Sequence, residues 1–157
     1  AKGASLLYTD GITAGWSMNH KDFQYRYVHM LSKISYDGRL IFNDNLILDP
    51  HAFEMAELGL FEGYRNYSSL VVVDERVNAK LVKELQDFNN MAFDGTIMGI
   101  SLLEGPAMVV RVLGKSLNNN RAILYRSIDW LRYRFYGLPH LDLRKDEAFV
   151  NALNAVG

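Results

Sequence analysis

The side chains that could do chemistry in this chain do not fall into a catalytic pattern. Four histidines are present, His20, His29, His51 and His140. None stands at the His-x-x-x-His spacing that sets two imidazoles on one helical face, so no zinc pair is encoded locally. His51 and Glu54 would share a face if that segment were helical, and His140 and Asp142 would share one if extended; either pair would need a distant further ligand. The acidic groups Asp74-Glu75, Glu84/Asp87 and Asp146-Glu147 fall where a solvated face or a helix end is expected. A general acid needs a cleft that shifts its pKa, which such positions do not imply. No serine lies in Gly-x-Ser-x-Gly. Gly114-Lys115-Ser116 follows a strand and opens a helix, as a nucleotide phosphate loop would. The glycine such a loop needs five positions earlier is Val109, however, so the triplet reads as a strand end and helix N-cap. There is no cysteine, which removes disulfides and thiolate catalysis and is compatible with a reducing cytoplasm. These residues favour a protein that is not an enzyme and that has no resident cofactor or metal.

The second helix carries more. Arg121, Arg126, Arg132 and Arg134, interleaved with Tyr125, Trp130, Tyr133 and Tyr136, are offset by a single acid, Asp129. Arginine and aromatics dominate protein interface hot spots. The same types could track RNA or single-stranded DNA, or could pack half-buried while the guanidinium groups reach solvent. The contact residues expected of a protein partner are Arg126, Trp130, Tyr133 and Arg134, with Arg144 beyond the helix.

Several elements must position them. Ser5–Thr9 reads as a short buried strand ended by Asp10-Gly11, with Gly15 marking another bend. Phe23, Tyr25 and Tyr27 recur at period two, with Gln24 and Arg26 on the other face, which predicts a strand from Phe23 to Tyr36. Asp37-Gly38 supplies the positive φ values of a tight hairpin. The return strand starts at Arg39, is interrupted at Asn43-Asp44-Asn45, resumes through Leu48 and stops at Asp49-Pro50, because proline cannot donate to a ladder. Residues 51–64 hold apolar positions that suit a short helix, weakened by Gly59 and Gly63. Ser69–Val73 reads as a strand buried on both faces. Val77, Leu81, Leu85 and Phe88 give an amphipathic helix over about 77–91. A strand pair, Thr96–Leu103 and Met108–Leu113, follows. The second helix runs from the N-cap Ser116 to Tyr136, with Leu117, Leu124, Ile128, Leu131 and Phe135 as its apolar side; Gly137 ends it and Pro139 prevents its resumption. From Asp146 the chain is a short helix or a loose tail.

The expected class is α+β, predominantly antiparallel β: a layered sheet scaffold with two principal helices in the C-terminal half, forming one domain over 1–157. The length of 157 residues permits a sizeable core. The net charge of −1 gives no basic field for nucleic acid or an anionic membrane. No apolar run reaches the length of a membrane span. The chain opens Ala1-Lys2-Gly3 directly before a strand, as a processed chain or a fragment would.

Four segments, in order, resemble the urease accessory protein UreD/UreH family. They are the strand reaching Thr9-Asp10 and the Gly15-Trp16 turn; Phe23 and Tyr25 leading to the Asp37-Gly38 hairpin and Asp49-Pro50; Arg111 to Gly114; and the last helix leading to Gly137-Leu138-Pro139 and the basic Arg144-Lys145. Many relatives carry an Arg-Gly-Glu-like triplet before the Phe strand, where this chain has Asn19-His20-Lys21, so no role of that glutamate carries over. Relatives also have a further region upstream, which makes this chain similar to their C-terminal portion. The resemblance implies a cytoplasmic scaffold that assembles with UreF-like and UreG-like accessory proteins and helps deliver nickel to apo-urease, the GTPase activity belonging to a partner. Nickel would then be transient cargo. A truncated form, with unpaired strand edges, would tend to self-associate. A small-molecule-binding β domain and an RNA-binding module are the competing readings.

Overall fold

The run Leu70-Val71-Val72-Val73 has no polar face, so a strand made of it must be covered on both sides. A computed structural model describes residues 3–57, 59–90 and 94–140. In it the apolar run lies in one of the two inner strands of a four-stranded antiparallel sheet, and its apolar side chains are buried on both faces. In chain order the elements are β1 (Leu6–Thr13), β2 (Val28–Tyr36), β3 (Arg39–Leu48), β4 (Asn66–Val73), α1 (Ala79–Phe88), β5 (Thr96–Leu102), β6 (Ala107–Gly114) and α2 (Leu117–Tyr136). The large sheet has the order β1-β4-β6-β5, and β2 and β3 form a separate two-stranded ribbon. The α+β expectation, mostly antiparallel β with both helices late in the chain, holds.

Three layers result. On one face of the large sheet, Leu70 and Val72 of β4 and Met108, Val110 and Val112 of β6 pack against Leu81 and Leu85 of α1 and Ile123, Leu124 and Leu131 of α2. On the other face, Val71, Val73, Ala107 and Val109 meet Ile41 and Phe42 of the ribbon. A third cluster, Leu48, Met55 and Phe61, closes the end of the ribbon against Phe23, Tyr25 and Leu113.

Several boundaries differ from the sequence reading. β1 does not stop at Asp10-Gly11; it pairs with β4 from Leu6↔Val73 to Thr13↔Asn66. Gly11 is there for close approach, since a Cβ would lie 2.7 Å from the Tyr67 carbonyl oxygen. Phe23 is not in a strand. Its φ is 57°, its N–H donates to the Ala14 carbonyl at 2.7 Å, and its ring packs on Phe61 at 4.6 Å. The ribbon ladder ends at Val28↔Leu48, because Asp49-Pro50 leaves no partner for anything before Val28. The Asp37-Gly38 hairpin forms as expected, with φ 49° and 78°. β3 then continues unbroken through Asn43-Asp44-Asn45. A bulge between Ile34 and Ser35 shifts the register, so that consecutive Ile41 and Phe42 both turn inward. Residues 51–57 form turns rather than a helix; Asp49 Oδ1 accepts the N–H groups of His51 and Ala52 and holds the chain in an Asx turn.

The first helix is shorter than the apolar periodicity suggests. Asn78 caps it through the Leu81 N–H at 3.0 Å. Ser116 stands at the N-cap of α2 but makes no side-chain capping bond. Gly137 takes the left-handed conformation at φ 62° and its N–H donates to the Tyr133 carbonyl, a stop that L-residues adopt only with strain.

Candidate partner-binding surface

Residues 126, 130, 133 and 134 recur at helical spacing, so they form one stripe along α2. The core-facing side of the helix is pinned. Asn120, fully buried, donates through Nδ2 to the Asn66 carbonyl at 3.2 Å and lies within 3.3 Å of Ser68 Oγ. Gly114 faces it, and a Cβ at that position would overlap the Asn120 carboxamide oxygen. This is why glycine stands in the Gly114-Lys115-Ser116 triplet: it admits a helix side chain. Ser127 Oγ donates to the Ile123 carbonyl and accepts from Asn89 Nδ2 at 2.9 Å, tying the end of α1 to the middle of α2.

The C-terminal end of α2 is held by a buried acid. Asp74, 2% exposed, accepts from Arg76 Nε at 2.7 Å and Arg76 Nη2 at 2.6 Å, and from Ser5 Oγ at 2.5 Å. Those bonds, Arg76's first, hold its carboxyl well below the usual carboxylate range, against the opposing effect of burial. Arg76 in turn donates through Nη1 to the Phe135 carbonyl at 2.5 Å and lies over the Phe135 and Tyr136 rings at 4.2 and 4.6 Å. A cation on the last carbonyls of a helix is favourable on dipole grounds. The Tyr136 hydroxyl donates to Ser5 Oγ at 2.7 Å. The stripe is therefore presented by a helix fixed at both ends.

The stripe itself is a mosaic shared with α1. The Arg126 guanidinium lies over the Phe88 ring at 4.9 Å, and Phe88 meets Trp130 at 5.9 Å between ring centroids. Arg134 Nη2 pairs with Glu84 Oε2 at 3.0 Å. Trp130 is partly buried against the helix-side core, whereas Tyr133 is 71% exposed. The structure thus brings Arg126, Trp130, Tyr133 and Arg134 together and adds Phe88 and Glu84 from α1. Arg144, Asp142 and the stretch from Asp146 lie outside the described residues. Asp129 pairs with Arg132 at 3.6 Å and with His140 Nδ1 at 2.5 Å.

A second polar group was missed. Between β1 and the ribbon, Tyr8 hydroxyl donates to Asp10 Oδ2 at 2.9 Å and Ser32 Oγ donates to the same oxygen at 3.2 Å. Beside it, Tyr67 hydroxyl donates to Asp44 Oδ2 at 3.3 Å, while Arg111 reaches Tyr67 at 3.3 Å and Asp44 at 3.7 Å. Burial raises the Tyr67 phenol pKa. Asp10 is thus an inward-facing strand residue and not a turn-former; the period-two spacing of Tyr8 and Asp10 was the available signal.

The histidines stay apart. His29 Nε2 lies 2.6 Å from Asn45 Oδ1, His20 sits in a loop at φ 56°, and the turn at 51–57 gives His51 and Glu54 no helical face to share. Among the described residues no group of three or more His, Asp or Glu side chains is placed to hold a metal ion. No helix among them is long and apolar enough to cross a membrane.

Comparison with known sequences fits this arrangement. Residues 1–146 match the family described as UreD urease accessory protein. Relatives named urease accessory protein UreD include one from Streptococcus salivarius, 41% identical over 147 residues, which cover 93% of this chain and 52% of the relative. One from Streptococcus thermophilus is 40% identical over 146 residues, with the same coverage of both chains. One from Actinomyces naeslundii is 33% identical over 142 residues, covering 90% of this chain and 52% of the relative. The chain spans about half the length of the curated relatives it matches. By the match over 146 of its residues, the chain belongs to the UreD urease accessory protein family.

Proposed function

We propose that this chain acts in urease maturation as a non-enzymatic scaffold, assembling with UreF-like and UreG-like partners in the cytoplasm and aiding nickel delivery to apo-urease. The observation that carries the reading is the family match over residues 1–146, to relatives whose names describe accessory proteins. The geometry supports a recognition role for the α1–α2 surface. Tyr133 stands exposed at the end of a helix whose register is fixed by Asn120 and Arg76, so little ordering is needed before a partner covers it. Burying apolar area there contributes about 25 cal/mol per Å² before association costs are subtracted.

RNA binding is less well supported. Arg134 already pairs with Glu84, Arg132 with Asp129, and Arg126 lies on Phe88, so the stripe offers phosphate far less free charge than its composition suggests.

Co-expression with a UreF-like protein tests the reading. Wild type is expected to co-purify with it, and Tyr133→Ala combined with Arg134→Ala to weaken the complex at least about tenfold, as loss of an aromatic and arginine anchor does. An undiminished complex with the double variant would remove α2 as the interface.

A further inference from the structure

The ribbon covers only part of the sheet beneath it. β2 lies over β1, where Tyr8 meets Ser32, and β3 lies over β4 and β6, where Asp44 meets Tyr67 and Arg111. α1 covers the helix face of β5, but on the ribbon face Ile97, Gly99 and Ser101 of β5 are exposed. Beside β3 a groove of about 390 Å³ remains, with Leu46, Phe61, Tyr67, Ile97, Arg111 and Leu113 among its walls and Ile97 48% exposed. Gly99 forms part of its floor. It sits inside β5, opposite Arg111, and a Cβ on it would meet nothing within 4 Å. Its backbone is not in the left-handed region that would demand glycine. Glycine inside a strand weakens that strand and often stands at a bulge, a bend or a place where another backbone or ligand approaches closely; β5 pairs with β6 here without a register shift. The free edge of β3, which among the described residues pairs only with β2, leaves backbone N–H and C=O groups along the same groove.

We propose that this groove receives an extended strand from the part of the UreD chain that these 157 residues do not span, laid beside β3 and close over Gly99. Two features select this occupant. The matched relatives are roughly twice as long as their matched portion, so the family has further chain from which such a strand could come. The apolar walls and open edge ask for a strand with an apolar residue at every second position, which adds main-chain bonds and a side-chain face together. The groove involves neither α2 nor an accessory partner, so its test is separate from that of the proposed function.

The test co-expresses the tagged 157-residue chain with the unmatched portion of the Streptococcus salivarius relative. The expected result is recovery of one copy of each. Gly99→Val should lower that recovery at least tenfold while leaving the melting temperature of the isolated chain unchanged or raised. Lys33→Glu, on the outer face of the ribbon, should leave recovery intact. Absence of recovery, recovery indifferent to Gly99→Val, or equal loss with Lys33→Glu would overturn the proposal. So would pairing of the chain with itself alone through the groove. A lowered melting temperature for Gly99→Val would show that the glycine serves its own strand, and would overturn it as well.

Discussion

The two faces of the four-stranded sheet are finished to different degrees, and two glycines on paired strands show it. On the helix face, Gly114 is crowded by the buried carboxamide of Asn120; on the ribbon face, Gly99 looks into open space. One is glycine because this chain's own helix comes too close, while the other has no such reason within the chain. The helix face is closed by α1 and α2 over Leu70, Val72 and Val110, whereas the ribbon stops short of β5. The lesson is that small residues in a strand are informative only once the layer above them is known.

Substitutions on the two faces should differ accordingly in their cost. Gly114→Ala is expected to cost the most, about 2–3 kcal/mol, because the new methyl overlaps Asn120 and its displacement leaves buried groups unpaired; urea unfolding measures it. Asp74→Asn should cost about 2 kcal/mol at neutral pH, discounted for the partial exposure of Arg76. The folded-state pKa of Asp74 is depressed. Its contribution is therefore complete above the unfolded-state value of about 3.9 and is lost as pH falls from there toward the folded-state value. The gap between wild type and Asp74→Asn should stay constant between about pH 5 and 8 and narrow in acid. Gly99→Val should have the smallest effect on the isolated chain, within about 0.5 kcal/mol or stabilising, since β-branched residues suit strands. Equal destabilisation at positions 114 and 99 would erase the difference between the faces.

The sequence revealed what depends on local periodicity. The all-apolar Leu70–Val73 run, the Asp37-Gly38 turn and the α2 register with its Gly137 stop were legible because neighbouring residues decide them. Contacts between layers were not. Phe23, Tyr25 and Tyr27 have strand spacing, yet Phe23 turns aside because the β3 ladder ends at Asp49-Pro50 and the Phe61 ring offers a better site. Asp10-Gly11 has turn composition, yet both residues stay in β1 because the Tyr67 carbonyl comes too close for a Cβ at position 11 and Asp10 finds Tyr8 and Ser32. The α2 stripe was read from its residue types, but Phe88 and Glu84 join it from a separate helix, which spacing along one chain segment cannot convey. Asp74, the acid that fixes the end of α2, reads as a solvated charge beside Glu75 because Ser5 and Tyr136, which meet it along with the adjacent Arg76, lie far away in sequence.

We propose that the α1–α2 surface, and not the groove beside β3, meets the accessory partner. Hydroxyl-radical footprinting of the chain with and without a UreF-like protein tests it most directly. The account predicts protection of Tyr133, Trp130 and Phe88 on complex formation, with Ile97 and Leu46 unchanged. Protection of Ile97 and Leu46 with Tyr133 left reactive would contradict it.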